Sequence, residues 1–378
     1  MTKALLAGAF AVPFVKEGEN IAVLGARAVR GLLEQTGADR DDIDVAVTGT
    51  ALGGSLVGQR ILKRLDMTGI PVINVENACA TGATAVHVAT QLVIAGQARA
   101  VIAVGVEQLS ALGGGTLPLD LTDVEAAQGS VMPAVYAMRA SRYLWEHGAS
   151  AEDMAQVTVK NRRAGAHNPI ARFQSEVTLD DVLASPMICD PLTLLQCSSN
   201  SDGAAAVLVC SPEYAASLTS PPIVIRASVV LSGEYSNGPR NMLVPDITVR
   251  AVAQAYDDAG ITAWDVDLAE VHDAFTIAEL LYYETLGFCA PGDGAKFLAD
   301  GGPLPGGSVA VNSSGGLISR GHPVGATGVA QMVEAYEQLT GIAGDRQLAN
   351  AEVAVTHVTG GGIAGVDNGA CGVHVLAN

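Results

Sequence analysis

The chain has 378 residues, 49% of them hydrophobic and only 4% aromatic, and carries a net charge of −18. That length buries one large core or two ordinary ones. So acidic a chain is a poor partner for nucleic acid or an anionic membrane, and an anionic substrate would need a local basic patch.

The six cysteines, Cys79, Cys189, Cys197, Cys210, Cys289 and Cys371, form no CxxC pair and match no zinc module. Thiols in a large, enzyme-like chain suit a reducing, cytoplasmic setting. No uninterrupted apolar run is long enough to span a membrane.

The first segment, "KALLAGAFAVPFVKEGEN" from Lys3, puts one lysine before an apolar run. That imitates a signal peptide, but the favoured reading of the same run is a buried first strand. From there strand and helix patterns alternate, which argues for α/β layers. The chain then repeats itself. One helix pattern ends at "GADRDDIDVAV", from Gly37, and a later one ends at "GITAWDVDLAEV", from Gly260. Each glycine suits the left-handed turn after a helix.

The next units also correspond. "INVENACATGATAV" runs from a strand through Cys79 into a helix. "VNSSGGLISRGHPVGATG" does the same through a longer loop holding His322. An apolar strand follows each helix. Two similar halves, about 1–106 and 221–378, imply a pseudo-twofold pair whose equivalent strand-to-helix junctions meet near the axis. Cys79 and His322 can then face each other.

A different segment, about 107–220, lies between the halves. It opens with the loop-like "GGGTLPLDLTD" and continues with the helical pattern "MPAVYAMRASRYLWEHGAS". "VKNRRAGAHNPIARFQSEV" follows, holding Lys160, Arg162, Arg163 and Arg172. This main basic cluster reads either as a solvated surface or as a landing site for the phosphates of an anionic cofactor.

Cys79 reads either as a small core filler or as a nucleophile. It opens a helix rich in Ala, Gly and Thr, whose amides and dipole favour thiolate and supply oxyanion donors. His322 is either a capping histidine or a base that activates Cys79. His272, at a strand end in "LAEVHDAFT", is balanced between packing and a polar group facing a site. "GGGIAG", Gly360 to Gly365, follows a strand but has no βαβ unit after it, which argues against dinucleotide binding. "GGSLVGQR" lacks the Lys-Ser/Thr of a P-loop. Cys197 reads as a turn before a buried strand, His87 as a helix face and His374 as strand packing.

Taken in order, "NVENACATGATA", "LTLLQCSSNSDGAAAVLV", "EVHDAFTIAELLYYETLGF" and "NSSGGLISRGHPVGATG" resemble the thiolase superfamily. The likeness is greatest to sterol carrier protein-type thiolases and bacterial acetyl-CoA acetyltransferase-like proteins, and it covers nearly the whole chain. It implies a thiolase fold: two βαβαβ-type halves in five α-β-α-β-α layers with an inserted loop domain. The first half is then 1–220, with the loop domain at about 107–220, and the second is 221–378. It further implies acyl-CoA thioester substrates, lipid metabolism, a dimer or higher homo-oligomer, and no metal or redox cofactor. By motif, Cys79 is the acylated nucleophile, His322 its activator and His272 a holder of the thioester oxygen. Backbone amides at Cys79 and at Gly360, Gly361 and Gly362 form an oxyanion hole. Lys160, Arg162, Arg163 and Arg172 are the expected substrate-binding cations.

One departure matters. Sterol carrier-type thiolases carry a second catalytic Cys in HDCF, where this chain has Ala274. Other thiolases carry it in a late C-x-G motif, where this chain reads "THVTGGG", and Cys371 falls within the last strand pattern. The expected activity is acyl transfer through acyl-Cys79, with carbon–carbon bond formation or cleavage. His272 and His322 would complete a Cys-His-His site, or the transfer would need no second thiolate. The alternatives are a thiolase-like retro-aldolase, acting on a steroid or other CoA ester with a small OB-fold partner, and a non-catalytic subunit of such a complex.

Overall fold

The computed structural model describes residues 3–113, 115–236, 240–363 and 365–378. Residue 114 of the loop at 113–123 and residue 364 of the Gly360–Gly365 run lie outside the described residues.

The first half contributes β1 (Leu5–Ala11), β2 (Val45–Gly49), β3 (Val72–Val75) and β4 (Ala100–Gln108). The inserted segment contributes a short hairpin, β5 (Met187–Cys189) and β6 (Leu192–Thr193), and β7 (Asp202–Cys210) follows it. The second half supplies β8 (Ile223–Ser232), β9 (Leu268–Glu270), β10 (Ala310–Val311), β11 (Val353–Gly360) and β12 (Ala370–Ala377). The main sheet runs β10-β9-β11-β12-β8-β1-β7-β4-β2-β3. Outward from the β1–β8 junction, the halves read 1-7-4-2-3 and 8-12-11-9-10, the same winding twice. The junction is narrow: Leu5 lies opposite Val224, and Leu6 opposite Ile223. β7, within the segment expected to be inserted, completes the first half-sheet through β1 and β4.

Strand alternation explains the layers. Along β4, Val101 and Ala103 face a core shared by both halves. Ala100, Ile102, Val104 and Val106 face a separate core under the helix Ile21–Thr36. A strand whose successive side chains enter two cores must lie between two layers. The shared core also takes Leu268, Ala354 and Leu376 from the second half. A third core lies outside that half and takes Tyr143, Met154 and Val157 from the inserted helices Met132–His147 and Ala151–Gly165. Three helical layers and two half-sheets make the expected α-β-α-β-α arrangement.

The middle layer holds the helices Thr81–Ile94 and Thr327–Thr340. They touch through Gly82 and Gly328. A Cβ on Gly328 would stand 2.4 Å from the Ala83 nitrogen, and one on Gly82 would stand 2.9 Å from the Gly325 oxygen. Only glycine permits that approach, and it sets the two helix N-termini side by side. Gly37 and Gly260 end the helices before β2 and β9 in the left-handed conformation, with φ of 69° and 64°.

Candidate active site

The junction after β3 is built by its own short side chains. The Ala78 amide donates to Glu76 Oε1 at 2.6 Å, and the Asn77 amide donates to Thr81 Oγ1 at 2.8 Å. Asn77 Nδ2 reaches Thr84 Oγ1 at 2.9 Å. These bonds hold Ala78 at φ 48°, a costly conformation for a residue with a side chain, immediately before Cys79. The end of β11 closes over the turn: a Cβ on Gly360 would meet the Asn77 oxygen at 2.2 Å and the Cys79 nitrogen at 3.1 Å.

His322 arrives from the other half. It follows the short helix Gly316–Arg320 and Gly321, and its amide donates to the Ser199 carbonyl at 3.0 Å. Its Nε2 lies 3.3 Å from Cys79 Sγ, and its Nδ1 lies 2.7 Å from Thr327 Oγ1. The Thr327 hydroxyl donates to the Pro323 carbonyl at 3.1 Å, so it accepts from Nδ1–H. That assignment leaves the Nε2 lone pair facing the thiol.

His272 completes the group. Its ring meets that of His322 edge-on at 5.2 Å between centroids, and its Nδ1 lies 3.2 Å from Thr359 Oγ1. Tyr282 Oη is 3.2 Å from the same threonine oxygen. Donation from Tyr282 through Thr359 to Nδ1 would present Nε2–H as a donor, and the reverse direction would leave Nε2 an acceptor. That nitrogen is buried and has no protein partner among the described residues. The next residue, Asp273, accepts from the Leu317 amide at 2.7 Å and the Ile318 amide at 3.3 Å. It thereby fixes the helix that carries His322. Glu107 plays a similar part, accepting from Ala51, Leu52 and Gly325 amides at 2.9, 3.1 and 3.1 Å.

Burial decides the charge states. It pushes the Cys79 thiol up to about 12, against the opposing Gly361 amide and with further upward pressure from Glu107. Burial, then Arg320, brings His322 down to about 3. Burial, then His322 and His357, lowers His272 well below the ordinary range. The resting group is therefore a neutral thiol beside neutral imidazoles. The amides of Gly361 and Cys79 favour thiolate, in the sense expected of this junction, but desolvation outweighs them. The donor atoms of Cys79, His272 and His322 lie within 4.8 Å of one another, close enough to share one metal ion. The same spacing suits proton transfer from sulfur to nitrogen.

All three line a cavity of about 1730 Å³. Ala274 lines it too, with its carbonyl accepting from the Ser198 amide at 2.8 Å, so the position offers no second base. Cys371 is buried in β12, facing the outer core. Cys197 reaches the cavity wall beside Phe275, but its thiol points to the Thr193 carbonyl at 3.4 Å.

The basic stretch is not one patch, and two of its members need correction. Lys160 is buried, with Nζ 2.9 Å from Glu279 and 2.6 Å from the Val311 carbonyl. Arg162 is buried on Phe173 and bonds Ser175 at 3.0 and 3.2 Å. Neither guanidinium nor ammonium is free for a phosphate. Arg163 is exposed near Glu176, away from the cavity that Arg172 lines. Sequence reasoning passed over Thr327, Thr359, Tyr282 and Glu107. Thr327, Thr359 and Tyr282 sit inside quoted motifs, while Glu107 gave no signal.

Residues 7–213 match the family description "Thiolase, N-terminal domain", and 234–367 match "Thiolase C-terminal domain-like". The chain is 43% identical over 366 residues to benzoylsuccinyl-CoA thiolase subunit BbsB of Thauera aromatica, covering 95% of each. It is 38% identical over 356 residues to acetyl-CoA acetyltransferase of Methanothermobacter thermautotrophicus, covering 92% of each. It is also 38% identical to human sterol carrier protein 2, covering 84% of this chain and 62% of that one. Among solved structures it matches the Ltp2-ChsH2(DUF35) aldolase with a TM-score of 0.85 at 27% identity, covering 100% of this chain and 98% of the other. Human mitochondrial 3-ketoacyl-CoA thiolase shares the fold, with a TM-score of 0.74 at 17% identity and coverage of 100% and 99%. No helix among the described residues is long and apolar enough to cross a membrane. From its two matched domains and from relatives that align along nearly all its length, the chain belongs to the thiolase family.

Proposed function

We propose that the protein transfers acyl groups from CoA thioesters through an acyl-Cys79 intermediate. The observation that carries this reading is the 3.3 Å contact between Cys79 Sγ and His322 Nε2, with Nδ1 tied to Thr327. As Sγ attacks the thioester carbonyl, its proton passes to Nε2. The carbonyl oxygen gains the negative charge and accepts from the amides of Cys79 and Gly361, both of which already act on the sulfur. When the carbonyl re-forms, the CoA thiolate leaves and takes the proton from Nε2. His272 Nε2–H then holds the oxygen of the second thioester. Catalysis on this reading needs no resident cofactor.

The test is intact-mass measurement after mixing with a panel of acyl-CoAs, with Cys79→Ala as control. A mass gain equal to the acyl group, lost in the control, supports the reading. No acylation by any member rejects it.

Ala274 favours a second reading, in which the cavity cleaves a carbon–carbon bond by retro-aldol chemistry with a small OB-fold partner. It draws support from the likeness to the Ltp2-ChsH2(DUF35) aldolase and from BbsB being called a subunit. Activity that appears only on adding such a partner, without acyl-Cys79, would select it. A homo-oligomer working in the cytoplasm fits both readings.

A further inference from the structure

A buried ion pair stands at the roots of both histidines. Arg320, two residues before His322, ends the short helix Gly316–Arg320, and Glu270, two residues before His272, ends β9. Both side chains are fully buried, with Arg320 Nη1 3.4 Å from Glu270 Oε2. The same nitrogen donates to Ser314 Oγ at 3.2 Å and to the Ala330 carbonyl at 3.3 Å. Arg320 Nε and Nη2 have no protein partner among the described residues. A buried guanidinium with one nitrogen engaged is a weak source of stability, and buried ion pairs are often replaced by apolar residues without loss. Its place between the two histidine-bearing segments suits another role.

The residues around His272 are bonded one after another to the segment that leads to His322. Glu270 accepts from the Ser314 amide at 3.0 Å and from its hydroxyl at 2.5 Å. The Val271 amide donates to Asn312 Oδ1 at 2.9 Å, and Asp273 takes the Leu317 and Ile318 amides. The two imidazoles are thus mounted on one frame, whereas Cys79 comes from the other half. Arg320 ties the frame to the middle layer. Through the Ala330 carbonyl it binds the helix Thr327–Thr340, one turn past the Thr327 that holds His322 Nδ1. That helix lies against the one after Cys79, at Gly328 and Ala83. A slip of the frame along the helix would change the 3.3 Å approach of Nε2 to Sγ. Misplacement of a reacting group by about 1 Å costs on the order of 100-fold in rate.

We propose that Arg320, paired with Glu270, is a positioning residue for Cys79 acylation: it locks the histidine frame to the middle-layer helix and so holds His322 Nε2 at the thiol. Arg320 is not among the residues that line the cavity, and its effect passes through His322. Removing the pair slows the chemical step and spares the binding of the CoA ester. A residue that only stabilised the fold would change neither the rate nor the orientation of His322 in the molecules that remain folded. Charge works in the other direction. The Arg320 cation opposes the imidazolium that forms as Sγ attacks, so a role by charge alone predicts faster acylation once it is removed. The proposal rests on the reading that CoA thioesters acylate Cys79.

The test is the double variant Arg320→Met with Glu270→Gln, which removes both charges together and keeps an amide to bond Ser314. Rapid-mixing mass spectrometry gives the acylation rate with the best acyl-CoA donor. Calorimetry in a Cys79→Ala background gives the dissociation constant of the same ester. Acylation should slow by about 3- to 100-fold, with the dissociation constant changed by less than the rate. NMR of protein labelled with nitrogen-15 at histidine supplies a second reading, and His322→Ala assigns the ring. The wild type should show a neutral His322 with its proton fixed on Nδ1, and the variant should show shifts averaged between tautomers. Slowing by less than about 3-fold overturns the proposal, as does a faster rate. So does a loss of binding as large as the loss of rate, or a slow variant whose His322 signals are unchanged. Should the double variant not fold, Glu270→Asp keeps both charges and draws the carboxylate back by one methylene. It should slow acylation by about 3-fold or more, and a smaller effect rejects the role. If no CoA ester acylates the wild type, the acyl-transfer reading fails and the His322 signals alone decide the positioning role.

Discussion

Cys79 Sγ and His322 Nε2 stand 3.3 Å apart, yet neither carries a charge at rest. The thiol is raised to about 12 and the imidazole lowered to about 3, both chiefly by burial. Proton transfer between them must accompany attack on the substrate, since a preformed ion pair is disfavoured by desolvation.

His322→Ala should slow Cys79 acylation by about 100- to 10,000-fold while changing CoA-ester binding far less. Thr327→Val keeps the volume but removes the acceptor for Nδ1–H. It should slow acylation by about 5- to 100-fold, because that donor is left buried and the other tautomer becomes competitive. Rapid-mixing mass spectrometry gives the rate, and calorimetry gives the affinity. An unaltered rate in the alanine variant would remove His322 from the mechanism.

Ala274→Cys should add carbon–carbon bond activity. The wild type should be acylated by acetyl-CoA yet make little acetoacetyl-CoA and cleave it poorly. The new thiol would face the cavity beside His272, where it can take or return the α-proton. Assays of condensation and thiolysis in both proteins decide the point. Wild-type condensation as fast as that of ordinary thiolases would show that another group already supplies the base.

Lys160 and Arg172 should behave differently when replaced. Lys160→Met strands Glu279 in the interior and should cost about 3–5 kcal/mol of stability, read from denaturant unfolding. Arg172 lines the cavity, and we propose that it meets the phosphates of CoA. Arg172→Ala should weaken CoA but not a pantetheine thioester lacking the nucleotide. The wild-type affinity for CoA should also fall with salt. Equal losses for both ligands would sink the phosphate role.

Stability should decline gently on mild acidification and then collapse. His322, His357 and His374 are lowered to about 3 by burial first. Unfolded histidine protonates near 6.5. Unfolding below that pH takes up protons, so stability falls as pH drops, by at most about 1.4 kcal/mol per unit for each group. Glu270 and Glu337 are raised to about 7, again by burial first, and act in the opposite sense down to their ordinary value of 4.5. Below about 4.5 the histidines act without that opposition from the two glutamates. Three histidines outweigh two glutamates, so the thermal midpoint should fall gently from pH 6.5 to 4.5 and more steeply below. A midpoint that climbs toward pH 3.5 would contradict these burial assignments.

The sequence by itself determined the repeat, the layer class and the candidate trio of Cys79, His272 and His322. Those features are local: Gly37 and Gly260 end equivalent helices, and short polar residues shape the turns that hold Cys79 and His322. The absence of a thiol at Ala274 was equally legible, because motif position fixes it. Tertiary structure alone decided which charges are free and which acids are ionised. Lys160 and Arg162 look like a basic patch in one dimension, but their partners Glu279 and Ser175 are reached only through folding. Cys79 looks activated by a helix start until the closure of β11 and its loop desolvates it. Arg139 and Asp367 lie 228 residues apart, and no local pattern announces their pairing. Desolvation and long-range pairing depend on what packs from other segments, which local sequence does not encode.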